Sequence, residues 1–333
     1  MGYYRLILAF MVLYSHAVGP LFGWNIGVFA VISFFVISGY VMALLVNKRY
    51  PATKDVFRFY LDRALRLFPQ YLLYASLTLI CVALLGLSDH FLSGLTPLSI
   101  VMNMLLLPLG YFMFGLDDAM LIPPAWSLGL ELTFYAVFPL FWALPRRFQQ
   151  LLVCGSIGVF ALAVAGMIHS DWFGYRLIPG TFFMFIVGTS LAFPEKFGRA
   201  FPAGILLLAG MGLAVVVSNE RLYAAPYNKE VLAGLITGII AVSVLRKFRF
   251  GRIDEFLGNL SYGVFLNHYL LVYIAHRFEW SGGLFIPVVS LGLSFLSYRY
   301  VERYAIEWRH KIRSARAASS SQTDASQAFA GSQ

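Results

Sequence analysis

Charge is scarce in this chain: Asp, Glu, Lys and Arg make up 12% of its 333 residues, while 59% are hydrophobic. A soluble domain carries about 25% charged residues, so an ordinary hydrated exterior is excluded. The mean hydropathy of +0.74 points instead to a surface that faces lipid. No polar stretch is long enough to fold by itself. Cysteine is almost missing. Cys81 and Cys154 lie inside apolar runs without metal-type spacing, which excludes a disulfide framework and leaves them as small apolar fillers. No cluster of His, Cys and carboxylates has ligand spacing, so no metal is expected. No stretch matches the GxxxxGK(S/T) phosphate loop. No small-residue cleavage site follows the first apolar run, so that run is expected to be retained as a helix.

What is present is a series of apolar runs. A membrane span needs about 20 mostly apolar residues, and ten segments qualify: 4–18, 24–46, 68–87, 125–144, 151–168, 178–193, 202–217, 231–245, 256–275 and 284–300. An eleventh stretch, residues 98–114, is interrupted by Pro108 and Gly110 and followed by Asp117, Asp118, Pro123 and Pro124. It is expected to be re-entrant, because broken backbone at membrane depth needs protein or water around it. The fold class is therefore all-α: a polytopic membrane helical bundle.

The net charge of +9 sits in short clusters between these runs, where the positive-inside rule expects it; no nucleic acid is implied. The clusters are Lys48 to Arg66, Arg146 with Arg147, Lys196 with Arg199, Arg246 to Arg252, and a tail starting at Arg303. With ten spans, all of them fall on one side, which makes both termini cytoplasmic. The opposite loops keep Arg176, Arg221, Lys229 and Arg277. Residues 1–308 form one membrane domain, and residues 309–333 read as a basic, then Ala/Ser-rich disordered tail. Gly234-x-x-x-Gly238 and Gly155-x-x-Gly158 are expected to let helices approach closely.

Ionisable residues inside spans are costly and usually functional. Arg5 and His16 lie eleven residues apart on nearly one helical face, about 16 Å along the axis. Together they suggest a groove with an anion anchor at its mouth and a proton-handling imidazole at its end. Arg63 and Arg66, one turn apart, suit a phosphate-rich ligand as well as an inner-surface signal. Ser127 and Glu131 share a helical face, with Tyr135 one turn on. A lone carboxylate in a span needs an Arg or His partner, or a proton. Ser261 and His268 share another face, beside Asn267. Glu302, just past the last run, reads as balancing the basic inner surface.

At these residues the chain resembles the acyltransferase-3 family of membrane acyltransferases. The family's Arg-x10-His signature is similar to Arg5…His16, and its Phe-Phe-x-x-Ser-Gly-Tyr signature to Phe34, Phe35, Ser38, Gly39 and Tyr40. The Arg-x-x-Arg-x-x-Pro element resembles Arg63, Arg66 and Pro69, followed by Tyr71. Trp126 through Tyr135 matches Trp-Ser-Leu-x-x-Glu-x-x-Phe-Tyr, and Leu257 through His268 matches Leu-Gly-x-x-Ser-Tyr…His. The family's Glu-x-Pro or Glu-Pro after the last span is replaced here by Glu302, Arg303 and Tyr304. The chain is expected to act as a stand-alone member, without the esterase-like domain that some members carry.

The resemblance implies acyl-coenzyme A, most often acetyl-CoA, as donor, and a carbohydrate acceptor: an exopolysaccharide, an O-antigen or a lipid-linked sugar. It implies a multi-pass protein of the bacterial inner membrane, in contact with lipid, and leaves homo-oligomerisation open. Arg5, Arg63 and Arg66 would hold the donor's phosphates. His16 would act as general base or as acyl-accepting nucleophile, with Glu131 orienting His16 or an Arg. Ser38, Tyr40, Trp126, Ser127, Tyr135, Ser261 and His268 would bind the acceptor or organise the site. The competing readings are a transporter or flippase of a polar lipid or acyl group, and acylation of a non-sugar molecule such as a macrolide.

Overall fold

The computed structural model describes residues 1–50, 55–280 and 283–309. Among these the chain is all-helical, its one strand-like feature being an isolated bridge between Leu21 and Trp24. The helices are α1 (Gly2–Ala17), α2 (Ile26–Arg49), α3 (Val56–Leu85), α4 (Pro97–Leu105), α5 (Trp126–Ala143), α6 (Arg146–Val164) and α7 (Ile178–Ala192). They continue as the short α8 (Pro194–Phe197), α9 (Ala200–Ser218), the short α10 (Glu220–Ala224), α11 (Asn228–Leu245), α12 (Arg252–Arg277) and α13 (Phe285–Ser297). Of the tail expected to be disordered, residues 309–333, Arg309 is described and residues 310–333, with Lys311, Arg313 and Arg316, lie outside the described residues, as does Lys54.

Each of the ten apolar runs coincides with one helix, but among the described residues six helices are long and apolar enough to cross a membrane: α2, α3, α6, Trp172–Ala192, α9 and α11. The other four differ for a physical reason. α1 and α13 have 16 and 13 residues. α5 and α12 are diluted by polar side chains, Glu131 in one and Asp254, Glu255, Asn267 and His268 in the other. Three of these four helices carry most of the residues expected to form the site.

Burial sorts the helices into core and periphery. Residues 180–191 of α7 are all buried, the pattern of a helix apolar on every face and enclosed by protein. On α9 only Pro202, Ile205, Ala209 and Val216 are buried, a single stripe at helical spacing. Its Leu207, Leu208, Met211 and Val215 are exposed, which suits a lipid-facing surface and would be an aggregation hazard in water. α2 crosses α7 at close range. A methyl group added to Gly39 would collide with the carbonyl of Phe185, and one on Gly188 with the carbonyl of Val36. Phe35 and Phe134 stack on Phe185 at centroid distances of 4.7 Å and 4.2 Å. Gly234 and Gly238 bring α11 against α2, where an added Cβ would lie 2.9 Å from Phe29 Cα and 3.1 Å from Ser33 Cα. Gly155 and Gly158 do not act this way; each faces open space.

The interrupted stretch is broken as expected. α4 begins with a capping box between Thr96 and Ser99 and ends at Leu106, which adopts φ +64°. A 3-10 segment then runs over Leu107–Phe114. Asn103 latches the return: its Nδ2 donates to the carbonyls of Ser99 (2.8 Å) and Ala119 (2.7 Å), and its Oδ1 accepts from the Leu121 amide (2.9 Å). Its own carbonyl accepts from the Tyr71 hydroxyl at 2.6 Å. These bonds satisfy buried backbone that the broken helix leaves open, and they hold the residues preceding α5 against α3.

Candidate active site

Two cavities lie along α1 and α2, and Val31 lines both. The first, of about 140 Å³, contains Arg5, Ser38, Arg63, Arg66, Glu131 and Tyr135, with Ser127 and Ser261 also on its wall. The second, of about 260 Å³, contains His16, Asn25, Trp126, Tyr175, Arg176 and Tyr269. Arg5 and His16 thus sit on one helix but line two separate chambers, where their spacing suggests a single groove.

In the first cavity, the four-residue spacing of Ser127, Glu131 and Tyr135 puts all three on one face of α5. Ser38 from α2 donates to Glu131 Oε1 at 2.5 Å, and the Tyr135 hydroxyl donates to the same oxygen. Ser127 and Ser261 each donate back to a carbonyl of their own chain, Pro124 (3.0 Å) and Gly258 (2.7 Å). The arginines divide into paired and unpaired. Arg63 donates to Asp62, which also accepts from Arg309 at 3.3 Å. Arg66 is bonded to Glu302 and packs over Tyr262 at 5.1 Å. Glu302 is therefore a buried ion-pair partner rather than an interfacial charge. Arg5 makes no side-chain hydrogen bond or ion pair among the described residues, so its guanidinium is the one in this cavity left open to an anion.

His16 lines the second cavity, and His268, which lines neither, stands behind it so that the two imidazoles form a relay. His268 Nδ1 lies 2.9 Å from the carbonyl of Val264. A carbonyl only accepts, so Nδ1 carries the hydrogen, and in the neutral ring Nε2 is the acceptor. That nitrogen is 3.0 Å from His16 Nδ1. His16 Nδ1 therefore donates, and His16 Nε2 keeps its lone pair. Tyr269 packs edge-on against the His16 ring at 5.3 Å. Asn25 at the start of α2 accepts from Ser15 (2.6 Å) and from the amides of Gly27 and Val28, holding the α1–α2 connection beside His16.

Of the two partners expected for Glu131, His16 or an Arg, His16 is not in contact with it: Glu131 bonds Ser38 and Tyr135 in the cavity that holds Arg5, Arg63 and Arg66, and His16 is hydrogen-bonded to His268. Arg5, Arg63 and Arg66 do converge. Trp126, the first residue of α5, lines the second cavity while its neighbour Ser127 lines the first, because successive side chains on a helix point about 100° apart. Tyr40 lines neither cavity; the backbone at this position instead lies against Gly188 of α7. No group of three metal-ligating side chains occurs among the described residues. Arg176, counted above as a loop charge, is the site residue that sequence reasoning missed. It ends a π-helical turn, Trp172–Arg176, and its Nε donates to Asp171 at 2.6 Å. The visible signal was an arginine closing an aromatic run, Trp172-Phe173-Gly174-Tyr175, directly before an apolar helix.

The profile of the acyltransferase-3 family, described as an acyltransferase domain, matches residues 2–298. The chain is similar to nodulation protein 10 of Rhizobium leguminosarum bv. viciae, with 24% identity over 92% of this chain and 93% of that protein. It is similar to the exopolysaccharide production protein ExoZ of Rhizobium meliloti (strain 1021), with 28% identity over 79% of this chain and 82% of the relative. With the acyltransferase MdmB of Streptomyces mycarofaciens it shares 25% identity over 76% of this chain and 70% of the relative. No solved structure matches the chain. A match over nearly its whole length makes the chain a member of the acyltransferase-3 family and an O-acyltransferase.

Proposed function

We propose that the protein transfers an acyl group, acetyl being the simplest, from acyl-coenzyme A to a hydroxyl of a carbohydrate acceptor, within a ten-span domain of the bacterial inner membrane whose termini are cytoplasmic. The observation that carries this reading is the pair of chambers that share Val31 as a lining residue, one with the open guanidinium of Arg5, the other lined by His16, whose Nε2 keeps its lone pair. The relative named for exopolysaccharide production supports a carbohydrate acceptor. The basic clusters between helices support the orientation, which sets the Arg5 chamber toward the cytoplasm.

The first cavity fits the donor in part. Its volume of about 140 Å³ takes part of the donor's slender arm; the nucleotide would lie at its basic mouth and the thioester end would extend past Val31 to His16. Arg5 would meet a phosphate there, with Arg63 and Arg66 adding positive potential while held in place by Asp62 and Glu302. When bound, acyl-coenzyme A supplies an activated carbonyl carbon and a sulfur leaving group. His16 Nε2 takes the proton from the acceptor hydroxyl as its oxygen bonds to that carbon. The same nitrogen returns the proton to the sulfur as the carbon–sulfur bond breaks. Throughout, His268 Nε2 accepts the His16 Nδ1 hydrogen, fixing the tautomer and steadying the imidazolium. The Val264 carbonyl does the same for His268. Glu131, bonded by Ser38 and Tyr135, contributes the negative field that holds the arginine cluster.

The test is purified protein with acetyl-CoA labelled in the acetyl group. Label moving to an added polysaccharide, or slow release of free acetate that vanishes in His16→Gln, supports the reading. A folded protein that neither binds nor turns over the thioester overturns it.

A further inference from the structure

The second cavity has a polarity that the transfer chemistry does not use. Of the residues lining it, Arg176 is the only Asp, Glu, Lys or Arg among those described. Its guanidinium is boxed by four rings, with centroids at 4.7 Å (Trp126), 5.0 Å (Tyr175), 5.2 Å (Phe112) and 5.6 Å (Tyr227). These rings come from α5, the π-helical turn, the 3-10 segment and the start of α11, so four elements fix one cation. Asp171 accepts from Nε alone. Its carboxylate does not line the cavity, and the two terminal nitrogens of Arg176 make no protein hydrogen bond among the described residues. The side chain is 14% exposed.

A cation placed only to staple loops would be satisfied on both edges. Here Nε is paired with Asp171, which is not part of the cavity wall, and the two terminal nitrogens, without a protein partner among the described residues, are left as a fork of N–H donors. That fork matches a carboxylate or phosphate oxygen pair. Cation–π contact with the rings holds the fork rigid without neutralising it. The ring faces also give apolar walls that suit the C–H face of a sugar. The volume of about 260 Å³ lies near the small end of ligand pockets, about 300–1,000 Å³, and has room for a sugar ring beside His16.

We infer that this chamber is the acceptor site and that it selects an anionic sugar, one bearing a carboxylate or a phosphate, by pairing that group with Arg176 while a hydroxyl of the same ring faces His16 Nε2. The inference rests on the acyl-transfer reading above for the role of His16, but the anion site itself is read from Arg176 alone. Arg176 is a specificity residue in this scheme. It binds the acceptor and takes no part in moving the proton.

The experiment is calorimetric titration of the purified full-length protein with glucose, glucuronate and glucose 1-phosphate, repeated on R176Q and R176K. At least tenfold tighter binding of glucuronate or glucose 1-phosphate than of glucose is expected. The preference should be lost in R176Q and partly kept in R176K. Whichever anion gains more identifies the group as carboxylate or phosphate. Three sugars that bind alike, or none that binds, overturn the inference on the unaltered protein, even where a variant fails to fold. So does a preference that survives R176Q. Acetyl-CoA turnover measured in parallel separates the two proposals. Turnover without anion preference removes this inference and leaves the acyl-transfer reading; anion preference without turnover does the reverse.

Discussion

His16 and His268 lie 252 positions apart in sequence and are joined by one hydrogen bond, Nδ1 to Nε2, at 3.0 Å. Because His268 spends its own Nδ1 hydrogen on the Val264 carbonyl, the direction of both bonds is determined, and so is the atom left as a base. Replacing His16 with Gln or Ala should reduce transfer by about 10²–10⁴-fold while the protein stays folded. Transfer by the unaltered protein should also fall on the acid side, since a protonated Nε2 has no lone pair. Steady-state rates beside thermal unfolding in detergent check both; near-native turnover by a well-folded His16→Ala protein removes the assignment.

His268 acts through His16, so its variants carry a different signature. His268→Ala should lower kcat by about 10²-fold with little change in donor KM, and in combination with His16→Ala should add almost nothing. An Asn or Gln at 268 that can still accept from Nδ1 should recover part of the loss. If the two substitutions multiply instead, the rings act independently and the relay is wrong.

Arg5 and Arg66 line the same cavity and should fail in different ways. Arg66→Ala strands the buried Glu302, and breaking a buried pair from one side costs about 3–5 kcal/mol. Its melting temperature should drop sharply, and Glu302→Gln in the same chain should restore part of it. Arg5→Ala removes no ion pair, so stability should hold while acetyl-CoA affinity falls. Thermal unfolding and donor titration on the three variants decide; equal destabilisation by Arg5→Ala and Arg66→Ala contradicts the division.

The α2–α7 crossing has no room for a side chain at Gly39, where a methyl group would meet the Phe185 carbonyl. Gly39→Ala should therefore cost about 1–3 kcal/mol through overpacking and displace Ser38 from Glu131. Gly155→Ala, with nothing near it, should leave the melting temperature unchanged or slightly higher, as helix propensity favours Ala. Equal melting temperatures for the two variants argue against the crossing.

The ten-span arrangement predicts that cysteines placed at Arg147 and Arg249 react with a permeant thiol reagent only, and one at Lys229 with an impermeant reagent added outside. External labelling at position 249 rules out this topology.

Helical periodicity was a sound guide at some site residues and silent at others. The four-residue spacing of Ser127, Glu131 and Tyr135 and the eleven-residue spacing of Arg5 and His16 put each set on its helical face, and the structure keeps those faces. Periodicity says nothing of Arg176 and Glu302, which are read only from their place beside the apolar runs. Each ends a π-helical turn, Trp172–Arg176 and Tyr298–Glu302. A π turn holds an extra residue and rotates the next residues off the 3.6-residue count, so a side chain read as a loop or interfacial charge swings onto a cavity or into an ion pair.

Hydrophobic runs and helical spacing are local properties, and they were enough to make the chain a bundle of apolar helices, to say which helices carry ionisable groups, and to set the depth of each group along its helix. The pairings came from the packed bundle alone: His16 with His268 rather than Glu131, Arg66 with Glu302, and Arg176 inside a ring of aromatics from four elements. They depend on how far each helix is rotated and how closely it approaches its neighbour. Close contacts between residues far apart in the chain, such as Gly2 against Asp254, Gly39 against Phe185 and the Asn103 latch, fix these approaches, and no local period encodes them.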